Sequence, residues 1–105
     1  MMEDSFNSRE HQFEAKFAHD EALKFKIMAR RAKLLGAWVA DQLGPAAPSH
    51  YVADFLEYSL GKTPAALVQK AQADLKSAGV TASEAQLREE FELFTDRAVA
   101  ELKSV

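Results

Sequence analysis

The sequence has no cysteine, which excludes disulfides and thiolate metal sites and suits a reducing compartment. Strand signals are nearly absent: the few β-branched residues are scattered, and no segment alternates apolar and polar residues for long. No apolar run approaches the roughly 20 residues a membrane span needs. The leading MMEDSFNSREHQ is polar and acidic where a secretory signal would be basic and then apolar. A net charge of only -3 offers no overall electrostatic case for binding nucleic acid or an anionic membrane. What is present is a chain of 105 residues with 48% hydrophobic content, enough for one domain with a modest core. The composition predicts a single soluble, cytoplasmic, all-α unit with no membrane insertion.

Turn signals divide the chain into four predicted helices. The first begins near Ser8 and ends where Gly44 and Pro45 block continuation. Ser49 is the expected N-cap of a second helix with Tyr51, Val52, Phe55, Leu56 and Ser59 on one stripe. Thr63 caps a third, with Pro64 in the first turn and Leu67, Val68, Ala71, Leu75 and Ala78 on one face. Ser83 and Gln86 make a capping box for the fourth, whose stripe is Leu87, Phe91, Phe94, Ala98, Leu102 and Val105. No repeat and no low-complexity segment interrupts the pattern.

The first predicted helix is too long for its neighbours. Spanning residues 8–43 it would measure roughly 54 Å, against roughly 30 Å for the fourth. Its apolar face runs from Ile27 and Met28 through Leu34, Leu35, Trp38 and Val39 to Leu43, and these belong to the core. On the N-terminal side of the charged pair Asp20 and Lys24, Phe6, Phe13 and Phe17 fall at i, i+7 and i+11, on one helical face. Two arrangements follow. The segment projects as an arm, disordered or fraying when alone because isolated helices of about 12 to 15 residues are marginal. Alternatively, Phe13 and Phe17 bend back onto the bundle, or the helix breaks near Asp20 and covers an end of the domain. A projecting arm could bind a groove, since burying three Phe side chains at roughly 1.5–3 kcal/mol each exceeds an ordering cost of roughly 2–5 kcal/mol.

Other motifs carry less. Gly61, Lys62 and Thr63 resemble the end of a phosphate-binding loop, but Leu56 stands where its first glycine is required and Pro64 removes a needed N–H. This reads as a helix stop and restart. The basic run KFKIMARRAK at 24–33 is offset by a predicted fourth helix rich in acid (Glu84, Glu89, Glu90, Glu92, Asp96, Glu101), so intramolecular pairing or a solvated face is expected, with an acidic patch on a partner as the functional alternative. His11, His19 and His50 lack metal-ligand spacing, and no catalytic pair stands out, so neither a cofactor nor enzyme activity is predicted.

The stretch FNSREHQFEAKFAHDEALKFKIMARRAKLLGAW at 6–38 resembles the N-terminal half of the zeta subunit of alphaproteobacterial F-type ATP synthases, a family of small four-helix proteins. The shared pattern is Arg9 with Glu10, FEAKFAHDE at 13–21, Phe25 with Lys26, and ARR followed after one variable position by KLLG at 29–36. Downstream it thins to the helix order, ADLKSAGV at 73–80 and the last amphipathic helix. The resemblance implies a non-catalytic inhibitor of ATP hydrolysis, monomeric when free, acting at the cytoplasmic face of the membrane-bound synthase. A mobile N-terminal segment would insert between alpha and beta subunits near the central stalk, while a four-helix bundle stays outside as an anchor. Carried over by position, the arm is 1–19 and the bundle 20–105. Phe6, Arg9, Glu10, Phe13, Glu14, Lys16 and Phe17 are the positions expected to meet the partner. The chain departs from the family at Asn7 and Ser8, where many members have aspartates, and at LEYSLGKTPAAL, where an acidic loop is common. These departures keep open an alternative, a non-inhibitory helical adaptor or assembly protein of the same ancestry.

Overall fold

The computed structural model describes residues 4–103, and the side chains of 4, 5, 7 and 8 lie outside that description. The readings made above at Asn7, Ser8 and Val105 therefore fall outside the described residues. All regular structure among those residues is helical: α1 (Asp4–Lys16), α2 (Glu21–Leu43), α3 (Tyr51–Ser59), α4 (Pro64–Ser77) and α5 (Glu84–Lys103), with a 3-10 turn at Gly44–Ala46.

The predicted 8–43 rod does not exist as one helix. It breaks over residues 17–20, and the break is chemically made. The Phe17 amide still donates to the Phe13 carbonyl at 3.2 Å, and the Asp20 amide turns back to the Phe17 carbonyl at 3.1 Å. Asp20 then caps the next helix, its Oδ1 accepting from the Leu23 amide at 3.0 Å. A short acidic side chain satisfies an orphan N–H of the new helix and favours its positive N-terminal end. The charged interruption in the apolar face is thus a corner. Beyond it, Phe6, Phe13 and Phe17 are buried against the rest of the chain.

The 23-residue α2 is the central strut, packed against α3, α4 and α5. Ile27, Ala32, Leu35 and Val39 are fully buried along it. Gly36 lets α3 come close, since a Cβ built there would lie 3.1 Å from the Phe55 Cβ. The α2 helix ends at Gly44 (φ 61), whose amide donates to the Ala40 carbonyl. Thr63 caps α4, accepting from the Ala66 amide at 3.2 Å, and Ser83 Oγ accepts from the Gln86 amide at 3.0 Å at the start of α5. At α3 the expected cap moves by one residue. His50 occupies the N-cap without a side-chain cap bond, and Ser49 lies before it in the turn. Trp38 packs on the margin of the main core, partly exposed.

The α3–α4 contact includes one polar link. The Tyr51 hydroxyl donates to Asp74 Oδ2 at 2.6 Å, and Lys70 pairs with the same oxygen at 3.2 Å. Burial first, then the hydrogen bond and the negative charge of Asp74, push the Tyr51 phenol far above its ordinary value of 10.0. The folded form therefore keeps a proton that the unfolded chain loses above about pH 10. Stability from this group is full below that pH and declines as pH rises through the alkaline range. Tyr51→Phe, which cannot ionise, should flatten the decline in urea melts between about pH 9 and 11. An unchanged slope would show that Tyr51 does not control it.

Candidate functional site

The expected partner-binding residues lie on α1, and the structure gives most of them partners inside the chain. Phe6 sits edge-on to Phe91 of α5, ring centres 6.5 Å apart at 61°, with the Arg88 guanidinium 5.2 Å from its ring. Phe13 and Phe17 stack obliquely at 5.2 Å and join Ile27 of α2 and Ala98 of α5 in a second apolar cluster. An amphipathic helix with rings at 6, 13 and 17 needs a groove between two other helices, and α2 with α5 supplies one.

At the centre of that groove is a buried cation. Arg31, 2% exposed, donates from Nη1 and Nη2 to the two carboxylate oxygens of Glu10 at 3.0 and 3.1 Å. Its guanidinium lies 4.7 Å from the Phe13 ring and 4.8 Å from the Phe91 ring, held between one ring from the arm and one from the bundle. Planar, delocalised and weakly hydrated, guanidinium suits a slot with two aromatic walls and a carboxylate at its open edge. Arg31 Nε is buried without a hydrogen-bond partner among the described residues.

The rim is wetter. Arg9 lies 3.3 Å from Glu92 and 3.3 Å from Asp96, with about half its side chain exposed. Glu14 and Lys16 are exposed, Lys16 with its ammonium 5.8 Å from the Phe17 ring. A cavity of about 270 Å³ lies between α1 and α5, bounded by Arg9, Gln12 and Lys16 on one side and Glu92, Thr95 and Asp96 on the other. The cleft is open to solvent, and rings and long side chains hold α1 in place across it.

Sequence reasoning placed Phe6, Arg9, Glu10, Phe13 and Phe17 together and left open whether Phe13 and Phe17 bend back onto the bundle, without naming the residues that would receive them. Arg31, Phe91, Glu92 and Asp96 supply that seat. A signal for Arg31 existed: it is a cation on the apolar side of its helix, which is tolerated where a partner covers it. The neighbouring Arg30 bonds Glu101 at 2.9 Å, and Arg97 bonds the same carboxylate. Arg30 first and Arg97 second hold the Glu101 carboxyl below the usual carboxylate range. The basic run is in this part an intramolecular pairing surface, with Lys26 and Lys33 on the exposed side.

The remaining motifs are structural. Lys62 lies 4.7 Å from the Tyr58 ring while Thr63 caps α4, so GKT is a helix stop and restart. His11, His19 and His50 are exposed, and no cluster of three metal-ligating side chains occurs among the described residues. Nor is any described helix long and apolar enough to cross a membrane.

The chain matches the family model described as ATPase inhibitor subunit zeta over residues 2–101. No curated protein and no solved structure matches it. A match over nearly the whole chain places α1, its corner and the bundle within one family pattern, and the chain belongs to the ATPase inhibitor subunit zeta family of non-catalytic regulatory proteins.

Proposed function

We propose that the protein inhibits ATP hydrolysis by the F-type ATP synthase, with segment 1–19 inserting between an alpha and a beta subunit and 20–105 remaining outside as the anchor. The single observation that carries the arm mechanism is that α1 is a separate aromatic helix, joined through one Asp-capped corner and seated on the bundle mainly by side chains. Such a helix can leave while α2 to α5 keep their contacts with one another, uncovering Phe91, Ile27 and Ala98, which its rings had covered. Phe6, Phe13 and Phe17 then exchange one apolar groove for another, and Arg9 and Glu10 exchange ionic partners. The exposed Glu14 and Lys16 are free to meet the synthase first. The block is steric, needs no cofactor, and changes no bond in the inhibitor. The central stalk on the cytoplasmic side of the membrane is the expected neighbour of the anchor.

A second reading, a helical adaptor without inhibitory action, is favoured by the burial of the same aromatic face in the free chain. One comparison separates them. The purified protein should inhibit the cognate soluble ATPase, and a version lacking residues 1–19 should be at least about tenfold weaker, equivalent to about 1.4 kcal/mol. Equal inhibition by both would remove the arm from the mechanism. No inhibition, with no alpha or beta subunit recovered by pull-down, would favour the adaptor.

A further inference from the structure

The structure assigns Arg31 a second role: with Glu10 and Phe13 it forms an autoinhibitory clasp that holds the arm's binding face against its own bundle. This inference rests on the reading of α1 as the inhibitory arm. Five of the seven side chains proposed to meet the synthase, Phe6, Arg9, Glu10, Phe13 and Phe17, are committed to α2 and α5 in the free protein, while Glu14 and Lys16 stay exposed. One face cannot occupy both seats, so closing competes with binding. If only a fraction of molecules is open, the apparent affinity falls by that fraction.

Arg31 is the contact on which the closed form turns. The ion pairs of Arg9 are largely solvated and contribute little. The cavity between α1 and α5 leaves that side loosely packed. Arg31 is different: it is anchored on the central helix, buried, bonded twice to the arm and covered by an arm ring. Apolar residues of similar volume usually serve stability as well as a buried ion pair, and here Nε is left unpaired. A charge in this slot instead fixes the arm in one register. It also makes release cooperative: once Phe13 lifts, water reaches both ions and their attraction drops steeply.

Reversing the charge by Arg31→Glu sets a carboxylate against Glu10 and removes the cation between the rings. Deuterium uptake by segment 4–16 should rise to that of an unprotected helix, while α3 and α4 keep their protection and so report a folded bundle. In the same preparation, the concentration needed for half-inhibition of the soluble ATPase should fall by roughly tenfold, as an open arm no longer competes with its own seat. Pairing Arg31→Glu with Glu10→Arg should restore slow exchange in 4–16, a rescue that non-specific damage to α2 would not give. Unchanged exchange in Arg31→Glu overturns the clasp. An exposed arm with no gain in potency overturns its regulatory role while leaving inhibition intact. If neither form inhibits, the functional reading fails, and the clasp stands or falls on the exchange data alone.

Discussion

Truncating Phe55 to alanine is expected to remove about 3–5 kcal/mol of stability, toward the upper end of that range. Phe55 is fully buried and, with Phe91, has the largest such side chain among the described residues. It lies over Gly36, which has no side chain to move into the vacated space, and its ring neighbour Tyr51 stands 6.0 Å away with its hydroxyl tied to Asp74. The cavity therefore stays largely open, the condition under which truncation costs most. A domain of this size has about 5–15 kcal/mol in total, so much of the margin goes. The melting temperature, followed by helical circular dichroism, should fall by about 15–30 °C. A loss below about 1 kcal/mol would mean that the α2–α3 contact is not central to the fold.

Phe91→Ala should produce a comparable total loss in a different pattern. The ring is 2% exposed, packs with the main core, receives Phe6 edge-on, and forms the floor beneath Arg31. The core share of the loss is about 3–5 kcal/mol, and the aromatic pair and cation–π contact each add about 0.5–1.5 kcal/mol. On the proposed function α1 can lift off, so the second share is limited by the free energy that seats α1. Phe91→Ala should therefore expose the amides of 4–16 in dilute urea before α2 to α4 open, whereas Phe55→Ala should lose all helices in one transition. Native-state hydrogen exchange distinguishes the two patterns. Joint opening of arm and bundle in both variants would show that α1 is an inseparable part of the core.

These patterns also indicate which parts of the protein were readable from residues alone. Helix boundaries were legible where local chemistry is decisive: Gly44 before Pro45, Thr63 before Pro64, and Ser83 three residues before Gln86. The corner at Asp20 was harder because residues 8–35 contain no glycine or proline, and an aspartate can sit in a helix as well as cap one. Length alone exposed the problem, since a rod reaching Leu43 outstrips its neighbours. The spacing of Phe6, Phe13 and Phe17 predicted a shared apolar face but not the groove that holds it, because helical periodicity does not specify a partner. Arg31 pairs with Glu10 from 21 residues away across that corner, a contact no periodicity encodes.

Backbone amide relaxation of the free protein along residues 4–26 tests the docked arm most directly. The closed arrangement predicts rigid order parameters near 0.85 through α1, about the same as in α2, with at most a local dip at the Asp20 corner. Values below about 0.6 throughout the segment before Asp20 would show an arm moving independently of the bundle and would contradict the clasp.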